Sequence, residues 1–411
     1  MPKFVLAYSG GLDTSVILKW LQVNHDAEVI TVSADLGQKR ELVGVREKAL
    51  LCGASAAYVE DLRDEFVHDY LWPVLKAGAL YQEVYPLGSA IGRPVIVKRL
   101  VEVAREVGAD AIVHGCTGKG NDQVRFEVGV AALAPDLQCI APVRSWELKS
   151  REEEIAWAKA HHIPVAATKK SPYSIDENLW GVSIEAGKLE DPWAEPPRDC
   201  WQITVDPERA PATPESVTIA FERGAPCAVD GRGLGGVALL NELNERAAAH
   251  GVGRIDMIED RVVGIKSREV YEAPAAVTLH TARQALEQVT LDRETRRAKA
   301  ALGQELARLT YDGLWFSPLR EAIAAFVDRA TQPVTGEVKL TLHKGHVMPV
   351  ARRSPQALYD PALATYAAGD AFNHESARGF IEIFGLASRV ASTKRLAREA
   401  QRRAPRKVAL A

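Results

Sequence analysis

Short apolar runs alternate with longer helical periodicities through the first 165 residues of the chain. Positions 4–7, 29–32, 56–59, 111–113 and 139–141 are compact apolar stretches that predict buried strands. Between them, 14–22, 41–52, 94–107 and 151–161 carry helical spacing, the last opened by a capping box of Ser150 and Glu153. Strand and helix in alternation predict an α/β fold with a parallel sheet covered on both faces. Ligands of such folds sit beyond the carboxyl ends of the strands, so the loops there are the segments to read for chemistry.

The pattern changes after residue 168. Proline is dense between Pro192 and Pro214, which reads as linker or edge segment. Beyond it come strand-like runs at 217–221 and 262–265, a helix at 237–249 and one long helix at 282–309, together a second, α+β domain. From Gly379 onward the spacing is that of an amphipathic helix rich in arginine, with a fraying end. The expected division is 1–168, 169–378 and 379–411, with no internal repeat.

Composition narrows the class. At 411 residues the chain exceeds one compact core, and 47% apolar with 26% charged residues is ordinary for a globular protein. A net charge of −3 supplies no field to draw it to nucleic acid or an anionic membrane. The five cysteines (Cys52, Cys116, Cys139, Cys200, Cys227) form no Cys-x-x-Cys, and their odd number argues against a disulfide framework and for a reducing cytoplasm. The apolar run at the N-terminus is too short for a signal peptide, and no segment reaches the roughly 18 apolar residues of a membrane span.

Ser9-Gly10-Gly11-Leu12-Asp13-Thr14-Ser15 follows the first strand and enters the first helix. Its glycines admit close backbone approach, and free amides at the helix start suit phosphate oxygens. Ser9, Thr14 and Ser15 add hydroxyls, while Asp13 is placed to hold Mg²⁺ or orient the loop. Gly231 to Gly236 also matches Gly-x-Gly-x-x-Gly, but it lies outside the strand–helix region and reads as a structural turn. A second glycine-rich stretch, His114 to Glu127, follows the fourth strand. With a helix starting near Gly120, Asn121 and Arg125 share one face, an amide and a guanidinium able to hold a carboxylate.

The first loop lacks the Gly-x-x-x-x-Gly-Lys-Ser/Thr grip on β- and γ-phosphates. It resembles instead the pyrophosphate loop of the N-type ATP pyrophosphatases, which implies an adenine nucleotide alpha hydrolase-like sheet and cleavage between the α- and β-phosphates. Four further stretches resemble the argininosuccinate synthase family: Tyr85 to Ala90 with Arg93-Pro94; His114 to Glu127; Ser174 to Trp180 with Ser183; and Gly253 to Asp256 running through Glu259-Asp260-Arg261 and Lys266-Ser267-Arg268 to Tyr271-Glu272. The resemblance implies a homotetrameric ligase that joins citrulline to aspartate using ATP with Mg²⁺. It assigns ATP contacts to Ala7, Tyr8, Ser9, Gly10, Gly11, Leu12, Asp13, Thr14, Ser15, Ala34 and Gly115. Aspartate falls to Thr117, Asn121 and Asp122. Citrulline falls to Tyr85, Asn121, Arg125, Ser174, Ser183, Glu259 and Tyr271. Asp13 and Asp122 are the candidate catalytic carboxylates, Asp122 for receiving or orienting the protons of the attacking amine. No protein metal site is expected, since His343 and His346 lack a third ligand. Three departures from the family pattern stand out: Ser89-Ala90 where Thr-Ser is common, Glu269 where glycine is usual, and His343 and His346 in place of Tyr and Asn. The rival readings are another adenylating ligase and a nucleotide-binding regulator without catalysis.

Overall fold

The computed structural model describes residues 1–38, 42–164 and 172–403. The apolar runs of the first third pair as a parallel sheet of β1 (Lys3–Ala7), β2 (Glu28–Asp35), β3 (Ala56–Asp61), β4 (Ala111–Val113) and β5 (Gln138–Ile140), in the order β3-β2-β1-β4-β5. Phe4 pairs with both Val29 and Ala111, so β1 is the central strand. Its residues alternate between two apolar layers: Phe4 and Leu6 pack with the Leu12–His25 helix, and Val5 packs with the Gly88–Val107 helix. A sheet buried on both faces explains why its strands read as continuous apolar runs. Ser150 and Glu153 form the expected capping box on the Arg151–Ala160 helix. The 41–52 helix is confined to Val45–Leu51, and Glu41 lies outside the described residues, as do positions 168 and 169.

Two antiparallel sheets follow. One runs β11 (Arg254–Asp260), β12 (Lys266–Glu272), β7 (Gly181–Glu185), β6 (Ser174–Asn178). The other runs β10 (Arg232–Gly233), β9 (Ala225–Val229), β8 (Glu215–Glu222), β13 (Gly336–His343), β14 (His346–Arg353). The expected strand at 262–265 is instead the turn between β11 and β12, with Val262, Val263 and Ile265 exposed. The long helix expected at 282–309 is two, Pro274–Thr290 and Arg293–Tyr311. Leu291 turns extended, and the Asp292 carboxylate accepts from the amides of Glu294 (3.0 Å) and Thr295 (2.9 Å), a side-chain cap that starts a new helix. Within Gly231 to Gly236, expected as a turn, Gly231 is a turn residue with φ 77°, Arg232–Gly233 form β10 and Gly236 begins a helix. His343 bonds the Ala212 carbonyl, and no metal-binding cluster occurs among the described residues.

By compactness the chain forms one unit from Met1 to Leu358 and another from Tyr359 on. In the second, the arginine-rich helix begins earlier than position 379 and is broken at Gly385 into His374–Phe384 and Leu386–Arg403. No helix among the described residues is long and apolar enough to cross a membrane.

Candidate active site

The strand order reverses between β1 and β4, so the loops leaving these two neighbours open into one crevice. Gly10 takes a left-handed φ of 75°, and Gly11 starts the Leu12–His25 helix without any side-chain cap, which leaves its first amides for a ligand. Hydroxyls hold the loop from beneath. Ser15 Oγ donates to the Gly11 carbonyl (2.7 Å) and lies 2.9 Å from the Tyr8 hydroxyl, while Ser33 Oγ donates to the Tyr8 carbonyl (2.7 Å). Lys48 donates to the Gly10 carbonyl. Gly115 presses against the helix start, where a Cβ would meet Ile17 at 3.1 Å and Thr14 at 3.3 Å. A cavity of about 550 Å³ is thereby lined by Ala7, Tyr8, Ser9, Gly11, Leu12, Asp13, Thr14, Ala34 and Gly115. Gly10 and Ser15 support it rather than line it. Burial and the adjoining Asp13 carboxylate raise the Glu154 pKa to about 7, so two carboxyl groups crowd the loop edge.

The second cavity, about 430 Å³, is walled by one face of the β11-β12-β7-β6 sheet. Register explains its polarity. Tyr271 pairs with Ser183, Ser183 with Asp176, Glu185 with Ser174, and Glu259 with Ser267. Directly opposed residues share a face, as do positions two apart, so these side chains and Glu269 point the same way. The intervening Ile175, Val182, Ile184 and Val270 form an apolar cluster on the other face. Asn178 and Trp180 fix the segment carrying Tyr85: Asn178 Nδ2 donates to the Gly88 carbonyl (2.9 Å) and Trp180 Nε1 to the Pro86 carbonyl (2.7 Å). Tyr85 then stacks on Tyr271 with ring centres 4.1 Å apart.

All the residues expected to meet either amino acid line this cavity: Thr117, Asn121, Asp122, Tyr85, Arg125, Ser174, Ser183, Glu259 and Tyr271. Asn121 and Arg125 are both held in place by contacts within the protein. Asn121 Nδ2 donates to the Tyr311 hydroxyl (2.8 Å) and its Oδ1 accepts from the Val262 amide (2.9 Å). Arg125 binds the protein's own Asp122 (2.9 Å) and the Tyr311 carbonyl (2.9 Å). Asp122 also accepts from Arg93 (2.9 Å), which reaches across to Asp176 (2.7 Å). Burial works to raise the Asp122 pKa, but the two guanidiniums outweigh it and hold the carboxyl at about 2. Ser89 Oγ lies 2.5 Å from Ser183 Oγ, and Ala90 is fully buried.

Glu269 joins the site. The single hydroxyl proton of Tyr271 faces both Glu259 (3.0 Å) and Glu269 (2.8 Å), and Arg261 binds Glu185 and Glu269. Burial and then the adjacent Glu269 carboxyl push Glu259 up to about 9, so it carries a proton at neutral pH. Arg93, Asp176, Glu185, Arg261 and Tyr311 belong to the cavity but were assigned no role from sequence. Arg93, Asp176 and Arg261 do stand inside the recognised segments. Tyr311, at a helix end, has no local signature. The two cavities adjoin, with Ser9, Arg93, Gly115, Cys116, Asp122, Ser174, Ile175 and Asp176 lining both.

Comparison with known proteins agrees along the chain. The profile of the arginosuccinate synthase N-terminal HUP domain matches residues 3–164, and that of the C-terminal domain matches 173–391. The argininosuccinate synthase of Chlorobium limicola is 56% identical over 384 residues, 93% of this chain and 96% of that protein. That of Chlorobaculum tepidum is 55% identical over 385 residues, with the same coverage.

Proposed function

The chain belongs to the argininosuccinate synthase family, and from that premise we propose how its site divides the work. The reaction is the ATP-dependent ligation of citrulline and aspartate. The ureido oxygen of citrulline attacks the α-phosphorus and pyrophosphate leaves. The aspartate amine then attacks the ureido carbon, and AMP leaves with argininosuccinate formed. The observation that carries the division is that the loop cavity adjoins the polar sheet-face cavity, with Arg93, Gly115 and Asp122 lining both.

ATP occupies the loop cavity, with Ala7 to Ser15, Ala34 and Gly115 around it and the first-turn amides receiving the pyrophosphate portion. The crowded carboxyls of Asp13 and Glu154 fit a hard, oxygen-preferring cation, so Asp13 would hold Mg²⁺ beside the phosphates. When bound, Mg²⁺ neutralises charge on the departing pyrophosphate. Citrulline lies against Tyr85, Asn121, Arg125, Ser174, Ser183, Glu259 and Tyr271; aspartate enters by Thr117, Asn121 and Asp122. At a pKa of about 2, Asp122 is too acidic to take a proton from an amine at neutral pH. Its part is to orient that amine by charge and to fix Arg93 and Arg125. Orientation of three substrates supplies much of the acceleration.

The Glu259–Glu269 pair receives the citrulline ammonium. Around Glu259 stand Glu269, Arg125 and Tyr271. Because Glu259 binds a proton until about pH 9, the ammonium competes with that proton, and the citrulline KM falls as pH rises from about 7 to 9. Glu269→Gln removes the like charge but not the burial, so it brings Glu259 partway down and moves the fall in KM to lower pH; a profile unchanged in the variant contradicts the assignment. Stability follows the same linkage. Glu259 is raised from the usual 4.5, so the folded state binds more protons than the unfolded one between that value and about 9, and stability declines across this window as pH rises.

The working form is a cytoplasmic homotetramer assembled through the C-terminal helices. Phe380, Ile381, Ile383, Phe384, Leu386, Val390 and Leu396 are exposed on His374–Phe384 and Leu386–Arg403, an apolar surface suited to burial against a neighbouring subunit. Arg406, in the sequence-predicted helix, lies outside the described residues. A chain ending at Leu358 is expected to lose the tetramer mass in light scattering, and an unchanged particle mass contradicts the role of the helices.

A further inference from the structure

A third cavity, about 630 Å³, opens between the Pro274–Thr290 and Arg293–Tyr311 helices and the end of the Trp72–Ala77 helix, and shares no lining residue with the other two. Among the residues lining it are six cations and two carboxylates. The imbalance persists in its buried part. Arg283 Nη1 donates to Glu287 Oε2 (2.7 Å), and Lys299 Nζ lies 2.7 Å from Glu287 Oε1, an ion pair that lacks hydrogen-bond geometry. Arg283, Glu287 and Lys299 are 8%, 6% and 2% exposed, so two buried cations share one buried carboxylate. A buried cation without its counter-charge is costly, and a cluster serving packing alone would balance its charge.

Two further groups point to a missing partner. The Arg283 Nε–H has no acceptor, and neither ring nitrogen of His280, one helical turn earlier, has a hydrogen-bond partner. Burial, then Arg283 and Lys299, hold the His280 pKa well below its usual value, so the ring is neutral and offers one N–H and one acceptor. Burial followed by Arg283 brings Lys299 down to about 8, although Glu287 acts to raise it. Arg296 and Arg297 are exposed along the same cavity, extending the positive field outward. Gly78 completes the enclosure: a Cβ there would lie 2.6 Å from the Arg283 guanidinium.

We infer that this cavity binds a small anion bearing a phosphate or carboxylate group, seated against Arg283, Lys299 and the neutral imidazole of His280. The ligand's oxygens accept from the unpaired Arg283 Nε–H, the Lys299 ammonium and the imidazole N–H, which corrects the excess positive charge. The site lies apart from the reacting groups, so its occupancy adds a binding function beyond the ligation.

Full-length protein is titrated with inorganic phosphate and, separately, with succinate, following heat of binding and unfolding temperature. Saturable binding of either that the variants below weaken supports the site, and the anion so affected identifies the headgroup. Lys299→Met keeps the methylene stem and leaves Arg283 and Glu287 as a balanced pair. Without anion it is expected to be at least as stable as the parent, with unchanged ligation activity and affinity for the anion at least tenfold lower. His280→Phe fills the same space without polar atoms and is expected to weaken binding severalfold, which keeps the inference testable if Lys299→Met fails to fold. Equal binding by parent and both variants places the anion elsewhere, the nucleotide loop included, and overturns the inference. So does the absence of saturable binding by either anion.

Discussion

Asp122→Asn is expected to lower kcat/KM for aspartate by about 10²–10³-fold while leaving the pH profile unshifted between about pH 6 and 9. The carboxylate is held at about 2 by Arg93 and Arg125 against the effect of burial, so it is ionised throughout that range. Were Asp122 the base for the attacking amine, its loss would displace the acid limb of the profile. The substitution also leaves Arg125, whose side chain is only 5% exposed, without its carboxylate, and Arg93, 14% exposed, with Asp176 alone. Breaking a buried pair from one side costs about 3 kcal/mol or more. The pH dependence of that cost has a definite sign. A depressed folded-state pKa contributes stability present above the usual 3.8 and lost as pH falls through about 2. Parent and variant should therefore differ most at neutral pH and converge in acid. An acid-limb shift in the variant would instead make Asp122 a proton acceptor.

Parts of this site were legible in the sequence because their physics is local. Strands covered on both faces are apolar throughout, and a glycine loop entering a helix is a contiguous string, so β1 and Ser9 to Ser15 could be read directly. The antiparallel sheet of the second cavity was harder. In β6 and β12 the cavity face is Ser174 and Asp176, and Ser267, Glu269 and Tyr271, respectively, so the apolar alternation that marks a half-buried strand is obscured by function. The most strand-like run nearby, 262–265, is the turn. It holds its place partly through Asn121 Oδ1 and the Val262 amide, 141 positions apart. Arg93 was quoted only as part of a motif, since its partners Asp122 and Asp176 lie 29 and 83 positions away. The helix break at Leu291 turned on a single capping aspartate within a run of good helix formers.

Thr117→Ala is the second large-effect prediction, because it should separate the half-reactions. Thr117 is exposed at the cavity on the loop after β4, whereas Glu259 is buried on the sheet face. With aspartate assigned to the first and citrulline to the second, damage at Thr117 leaves adenylation intact. Loss of one hydrogen-bond partner costs about 1–3 kcal/mol, roughly ten- to a hundredfold in the aspartate requirement. Glu259→Ala should instead impair adenylation itself. Asn121 is unsuited to this test, since its amide joins Tyr311 to the Val262 turn and its loss would disturb both substrates' surroundings.

The most direct measurement of a site built around citrulline adenylation is exchange of labelled pyrophosphate into ATP without aspartate. Citrulline-dependent exchange is expected in the parent, preserved in Thr117→Ala despite its reduced turnover and severely reduced in Glu259→Ala. Exchange that ignores citrulline, or that falls in Thr117→Ala as steeply as turnover does, would contradict it.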